Sequence, residues 1–379
     1  MNSPTASTRG LKILVIKLGD LGDCLLATPA LRALREAHPD AIIDLLAPGS
    51  AQQVFSGSDL INRHLILPRW DATGRISAST ANPLILPALA GALSRRHYDV
   101  CIALQHLTTA AGIVKLAGLV LSTGAPRRIG LDNGRGTFFT DRFPDTGFGG
   151  IHEADYWLHT VSLLGADSSP RPTELIVTSE DRERAASFIR NCPRPLIALH
   201  PGSGAYSVAR RWPVERFAEA GRRLRAIHGG TLIVIGNEAA VNGQLASEIP
   251  ATDLTGKLSV GVLAAILKSV NLLVTNDSGI LHVGAFGRAP IVAIFGLTDA
   301  RSWGPYYGRS EDGARSTIVD VPLGCRPCLY RDHALGWREG CLTRDCLQLV
   351  SVEMVVAAAN KQIDRFASER TGDPAELYD

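Results

Sequence analysis

Apolar residues in this chain come in short continuous runs, separated by longer stretches with apolar positions every three or four residues. Lys12 to Leu18 (KILVIKL) is apolar enough for a buried strand and is bounded by Gly19. Leu25 to Ala37 (LLATPALRALREA) has the spacing of a helix. Ile42 to Ala47, His64 to Leu67, Val100 to Leu104 and Arg128 to Leu131 are further strand candidates, and Leu84 to Ser94 is a helix candidate. The linker-like stretch Ala166 to Pro172 (ADSSPRP) follows. After a helix from about Ser179 to Asn191 the alternation restarts. Leu196 to His200, Thr231 to Ile235, Leu272 to Thr275 and Ile291 to Phe295 read as strands. Val214 to His228, Val260 to Ser269, Gly279 to Phe286 and an amphipathic Val352 to Ser368 read as helices. Alternating strand and helix predicts an α/β fold with parallel sheets covered on both faces. The layout predicts a disordered tail over 1–10, one α/β unit over 11–170 and a second over 171–350, the two facing a shared cleft. Residues 351–379 form a last helix and tail expected to pack back on the first unit.

Composition changes this picture little. The 379 residues are 45% hydrophobic and 20% charged, with a net charge of +2. Near-neutrality argues against a protein that coats a polyanion, so no nucleic-acid partner is expected. The most apolar stretches, Asn82 to Leu93 and Gly112 to Leu121, are too short to cross a membrane and are interrupted by Pro83 and Pro87 or by Lys115. The N-terminus lacks an apolar signal core, which makes a cytoplasmic location the expectation.

Four stretches carry candidate chemistry. Gly19-Asp20-Leu21-Gly22-Asp23 follows the first strand, and its glycines allow a tight turn and close approach to a ligand. Asp23 either presents a carboxylate to the cleft or caps the next helix. His200-Pro201-Gly202-Ser203-Gly204 is a second Gly-rich loop after a strand, with Arg210-Arg211-Trp212-Pro213 close behind. Two arginines there suit a diphosphate, although a surface loop with solvated charges gives the same pattern. Thr275-Asn276-Asp277-Ser278-Gly279, with His282 one turn on, opens a helix. Free N–H groups at that end suit an anion, although D-S-G is also a common cap. Lastly, Cys325, Cys328, Cys341 and Cys346 are spaced C-x2-C-x12-C-x4-C, which fits a structural zinc or iron ion, disulfides or four free thiols. No D-x-D pair, G-x-G-x-x-G, Walker loop, G-x-S-x-G or H-E-x-x-H is present.

In order, these stretches resemble glycosyltransferase family 9, the ADP-heptose:lipopolysaccharide heptosyltransferases. KILVIKLGDLGDCLLATPALRALREAHPDAIIDLLA is similar to the family's N-terminal signature. LIALHPGSGAYSVARRWPVERFAEA and LLVTNDSGILHVGAFGRAPIVAIFG are similar to its two C-terminal signatures. YDVCIALQ and HEADYWLHTVSLLGA also fit its layout, so the resemblance spans about residues 11–365. It implies a GT-B fold, with a Rossmann-like acceptor domain, a Rossmann-like nucleotide-sugar domain and the active site between them.

The same resemblance implies inverting, metal-independent transfer of a heptose, or a related sugar, from an ADP-sugar to a saccharide acceptor. That acceptor is lipopolysaccharide core or another cell-surface glycan, lipid-linked in some members. No catalytic cofactor is implied. Asp23 matches the general base, with Asp20 its rival. Arg210 matches a lysine of the family's K-x-W-P stretch, and with Arg211 it answers the leaving diphosphate. Ser203 and Gly204 match the phosphate loop, and Asp277, Ser278, Gly279 and His282 match the D-T/S-G-x-x-H that meets phosphates and sugar. Glu238 matches the ribose-holding residue, and Leu258 the apolar residue on the base. In one branch, which glycosylates autotransporter proteins, four cysteines hold an iron ion, and a protein acceptor is the corresponding alternative. A sugar-nucleotide epimerase, a nicotinamide-dependent enzyme and a non-catalytic sugar-nucleotide binder are the other readings. Acceptor contacts are expected from Pro48 to Asp59 and Arg69 to Thr80, and a lipid-linked acceptor implies peripheral association with the inner membrane face.

Overall fold

The computed structural model describes residues 10–67, 85–308 and 310–367. Outside the described residues lie the tail expected over 1–10 except Gly10, the 69–80 loop, the first residue of the 84–94 helix and the chain beyond 367. The chain forms two compact units. The first holds the chain up to Gly19, Ala30–Asp145 and Tyr156–Ser169. The second holds Asp20–Pro29, Thr146–Asp155 and everything from Pro170 onward. Asp23 therefore belongs to the same unit as the two C-terminal signatures.

Along the first part of the chain run β1 (Lys12–Ile16), α1 (Leu21–Ala37), β2 (Ile42–Pro48), α2 (Gln52–Phe55), β3 (Arg63–Leu67), α3 (Ile85–Ser94), β4 (Val100–Ala103), α4 (Ala110–Ser122), β5 (Arg127–Asp132), β6 (Asp141–Pro144) and α5 (Glu153–Ser162). Next come α6 (Ser179–Ile189), β7 (Leu196–His200), α7 (Val214–His228), β8 (Thr231–Val234), α8 (Ala239–Glu248), β9 (Ala251–Asp253), α9 (Val260–Ser269), β10 (Leu272–Asn276), α10 (Gly279–Phe286) and β11 (Ile291–Ile294). The chain continues with α11 (Ala300–Trp303), β12 (Ser316–Val319), β13 (Leu329–Arg331), β14 (Ala334–Gly336), α12 (Asp345–Gln348) and α13 (Val352–Arg365).

The two six-stranded sheets share one strand order. The first runs β3-β2-β1-β4-β5-β6 and the second β9-β8-β7-β10-β11-β12, all parallel. This is the doubly wound order, and it reverses direction between β1 and β4 and again between β7 and β10. Loops leaving the carboxyl ends of strands on either side of such a reversal diverge and open a ligand crevice. In the second sheet those loops begin at Pro201 and Asp277. The register Thr275↔His200 brings them out level with one another.

Central strands are apolar on both faces because helices cover both, so β7 and β10 are buried at every position. On α7, Phe217, Ala218, Gly221 and Leu224 form the apolar stripe at three- and four-residue spacing. Burying Phe217 and Leu224 contributes roughly 2 kcal/mol each. A Thr178–Asp181 capping box starts α6 and adds about 1 kcal/mol. The terminal helix departs from the expectation that it packs back on the first unit. Val355, Val356, Ala359 and Ile363 of α13 join the core of the second unit, where Arg223 and Glu353 pair at 2.9 Å. Among the described residues, no helix is long and apolar enough to cross a membrane.

Candidate functional site

In the second unit, two helix N-termini meet. Helix α1 starts at Leu21, earlier than the apolar spacing suggests, so Asp23 sits in its first turn rather than at a cap. Helix α10 starts at Gly279 with Ser278 as its N-cap, and the Ser278 side chain makes no capping bond. A Cβ on Gly22 would lie 2.9 Å from Gly279 Cα and 3.0 Å from His282 Cδ2. Only glycine lets the two helix starts approach this closely. The N-terminal end of each helix carries a partial positive charge, so their meeting point suits an anion. In an ordinary helix, Gly→Ala stabilises by about 1 kcal/mol. Gly22→Ala is expected to reverse that sign, destabilising by about 1–3 kcal/mol through overpacking. Thermal denaturation of the variant reads the sign directly.

The polar network around this point is continuous. Arg210 Nη1 pairs with Asp277 Oδ2 at 3.0 Å, and Nη2 donates to the Ser203 carbonyl at 2.8 Å. Thr298 Oγ1 donates to the same Asp277 oxygen at 2.7 Å. Arg210 Nε is buried without a partner. Burial works against the Arg210 charge, yet Asp277, Tyr330 and Asp23 hold its pKa above the ordinary value. Arg210 was expected on a ligand phosphate; what the structure shows is that it clamps the Gly-rich loop to the start of α10. Arg211 Nε donates to Ser203 Oγ at 3.3 Å, and that hydroxyl donates on to the Ser207 carbonyl at 2.8 Å.

Glu238 ends the β8 edge of the network. Its Oε1 accepts from the Gly204 N–H at 2.7 Å and its Oε2 from Asn237 N–H at 3.1 Å. Burial pushes this carboxyl up, but His200 and the two N–H donors outweigh it and hold the pKa below the usual glutamate range. Leu258 is half-buried on the loop between β9 and α9, outside the hydrogen-bonded network. His282 is buried, and its Nδ1 has no partner. Burial, with His152 and Arg210 nearby, lowers its pKa to about 4, so it is neutral at pH 7. His152 donates from Nε2 to the Gly304 carbonyl at 3.0 Å while Nδ1 accepts from Ala154 N–H. Those bonds define its neutral tautomer.

Several organising residues had no role assigned from sequence. Asn276 is fully buried. It donates to the carbonyls of Pro201 at 2.8 Å and Gly202 at 3.2 Å, and accepts from Trp212 N–H at 3.0 Å. One amide thus joins the second Gly-rich loop, the arginine segment and the start of α10. Trp212 is anchored in turn through Nε1 to the Val350 carbonyl. The signal was present: a polar residue ending an otherwise apolar strand must find partners when buried.

The first unit carries its own polar group at the strand ends. Lys17, after β1, lies 4.0 Å from the Trp157 ring centroid and is almost fully buried. His106, after β4, meets Asp145, after β6, at 3.0 Å, and its ring stands edge-on to Tyr156.

The four cysteines do not supply the zinc or iron site that their spacing suggested. Cys325 and Cys341 are exposed, Cys328 is half-buried and Cys346 is buried, all as free thiols. Among the described residues, no group of three or more metal-competent side chains is placed to hold an ion. Cys346 turns into the core of the second unit. Cys341 stays at the surface, accepting the Arg344 N–H at 3.2 Å.

The model of glycosyltransferase family 9 (heptosyltransferase) matches residues 87–336. Lipopolysaccharide heptosyltransferase 2 of Salmonella typhimurium is 27% identical over 304 residues, covering 76% of this chain and 83% of that protein. Among solved structures, the chain is similar to the family 9 glycosyltransferase of Veillonella parvula, with TM-score 0.69, 23% identity, and 94% and 97% of the two chains covered. It is also similar to E. coli ADP-heptose LPS heptosyltransferase II, with TM-score 0.68, 19% identity, and 94% and 100% covered. The family match begins after Asp23, which therefore rests on its place in the network and on the resemblance of the N-terminal stretch.

Proposed function

The chain belongs to glycosyltransferase family 9, and from that premise we propose that it transfers a heptose from an ADP-heptose donor to a lipopolysaccharide core acceptor by a single inverting displacement. The observation that carries the mechanism is the meeting of two helix N-termini at Gly22 and Gly279 beside Arg210. Positive potential gathers there from the two helix ends and the Arg210 guanidinium. In the proposed step an acceptor hydroxyl oxygen bonds to the anomeric carbon from the face opposite the diphosphate. The bond from that carbon to the diphosphate oxygen breaks, and ADP leaves with the electron pair. The hydroxyl proton passes to Asp23 as the new bond forms. The N–H groups at Ser278 and Gly279, with Arg210 and Arg211, stabilise the charge growing on the diphosphate. Neutral His282 offers its open Nδ1 to the donor, and Glu238 faces the ribose. A lipid-linked acceptor would bring the enzyme to the inner membrane face.

Donor specificity is the first test. ADP and ADP-heptose are expected to raise the melting temperature in the presence of EDTA, with UDP-, GDP- and dTDP-sugars giving little or no shift. A preference for another nucleotide would discard the ADP donor. Transfer of heptose onto a heptose-deficient core acceptor, with the anomeric configuration read by NMR, then tests acceptor and stereochemistry together.

A further inference from the structure

The two most apolar stretches of the chain give α3 and α4, which pack side by side in the first unit. Helix α4 is apolar on both faces. Ile113, Leu116, Leu119 and Val120 lie in or against the core of that unit. On the opposite side Ala111, Val114, Gly118 and Leu121 recur at three- and four-residue spacing, and all four are exposed. Val114 is 72% exposed and Leu121 54%. A helix that is apolar all round is normally enclosed on every side. At 13 residues α4 is about 20 Å long, too short to cross a bilayer. Its outer stripe suits lying along an apolar surface rather than threading one.

Helix α3 has the same character. Leu89 and Leu93 turn into the core, while Pro87 and Ala88 are exposed. Neither helix contains an acidic residue, and none occurs anywhere from Val100 to Leu131. The charges nearby are positive. Lys115 is exposed on α4, and Arg95 is exposed just after α3. Arg135, also exposed, donates from Nη1 to the Thr108 carbonyl at 3.2 Å, one residue before the Thr109 cap of α4. A guanidinium at the positive end of a helix gains nothing from the helix dipole, so another anionic partner accounts for it better. Across residues 85–131, Arg95, Arg96, Lys115, Arg127 and Arg128 stand against Asp99 alone, a net +4 in a chain whose total is +2. Arg96 and Arg127 are paired with Asp44 and Asp141, which leaves Arg95, Lys115 and Arg135 to set the charge beside the stripe. The lysine stem can lie on apolar surface while its ammonium reaches outward.

We infer that the outer face of α3 and α4 docks the first unit on an anionic phospholipid bilayer. Val114 and Leu121 enter the acyl boundary, and Lys115, Arg95 and Arg135 meet the lipid phosphates. A second copy of the chain fits this face less well, because a symmetric contact would set its positive charges against themselves. The inference rests on the proposed lipid-linked acceptor for its purpose; the surface chemistry stands on these residues alone.

Vesicle sedimentation of the full chain tests this. The protein is expected to bind vesicles of mixed phosphatidylcholine and phosphatidylglycerol at least about 10-fold more strongly than phosphatidylcholine alone, and less as salt is raised. Val114→Gln combined with Leu121→Gln is expected to lower that binding by about 10-fold or more. Lys115→Gln is expected to lower it about 5-fold. Transfer to a water-soluble core oligosaccharide is expected to stay within about twofold in both variants, because these residues lie outside the donor network. Wild-type protein that does not bind the mixed vesicles overturns the inference, as does unchanged binding in the double variant. A wild-type dimer, seen by analytical ultracentrifugation and dispersed by the double variant, would also overturn it and give the face to a second copy. If the double variant loses its fold, Lys115→Gln decides alone, and unchanged binding there is fatal. The vesicles hold no acceptor, so protein that binds them but transfers no heptose would sink the functional reading and leave this surface standing.

Discussion

Asp23→Asn is expected to lower transfer by about 10²- to 10⁴-fold while leaving ADP affinity within about twofold, the range associated with loss of a general base. Asp23 is half-buried in the first turn of α1, beside the start of α10, and its charge is felt by Arg210. An ordinary aspartate is a weak base, with a pKa of about 3.9. Its contribution must therefore come late, as the attacking hydroxyl becomes acidic during bond formation. The substitution removes proton acceptance and keeps the shape, so the loss is expected in kcat rather than in donor KM. Removing a negative charge near an anionic donor should, if anything, tighten ADP slightly. Asp20 provides the control. It is exposed, and its backbone carbonyl accepts the Cys24 N–H. Asp20→Asn is expected to change kcat less than about threefold, because a solvent-exposed carboxylate is not held against a reacting hydroxyl. Single-turnover transfer with all three proteins separates the two carboxylates. Full activity in Asp23→Asn with loss in Asp20→Asn would reverse the assignment.

The pattern along the chain was most legible where burial is complete. β7, α7, α9 and α10 have the ends that apolar spacing predicts, because each buries a full stripe or both faces of a strand. The edge strand β3 was legible as His64 to Leu67, but two other edge strands were not. β6 (DRFP) and β9 (ATD) are short and at most half-buried, so they carry no apolar run. Among candidate site residues, Ser203, Asp277 and Asp23 stood out in the sequence because each follows a strand of a parallel sheet, whereas Glu238 came only from the family resemblance. What could not be read was pairing. Nothing in R-R-W-P says that Arg210 grips Asp277, since that requires β7 and β10 to be neighbours. The cysteine spacing misled for a related reason. C-x2-C fixes local distances only, and the four thiols differ in burial, Cys346 lying in the core while Cys325 and Cys341 are exposed.

Acid is expected to unfold the second unit through its histidines before its carboxylates protonate. His200 and His282 are buried and His152 half-buried, and for each of them burial is the leading cause of a lowered pKa. For His282 the value falls from 6.5 to about 4. A group whose folded pKa is depressed contributes stability that is complete above its unfolded pKa. That contribution is lost as pH falls towards the folded value, because the unfolded chain takes the proton first. The window therefore runs from about pH 6.5 down to about pH 4. His282 alone would cost on the order of 3 kcal/mol across it, a large share of the 5–15 kcal/mol typical of a folded domain. Glu238 has its own lowered pKa and adds a loss in the same direction, but at lower pH, below the usual glutamate range. At pH 5.5 unfolded carboxylates are mostly ionised, so the histidines dominate there. Unfolding at pH 5.5 is expected to take up more than one proton per chain, measured by calorimetry in buffers of different ionisation heat. His282→Asn is expected to reduce that uptake by close to one proton, whatever it does to stability at pH 7. An uptake near zero at pH 5.5 would mean that these side chains are already protonated in the native state. His282 would then meet the donor as a cation, and the neutral role given to its Nδ1 would have to be abandoned.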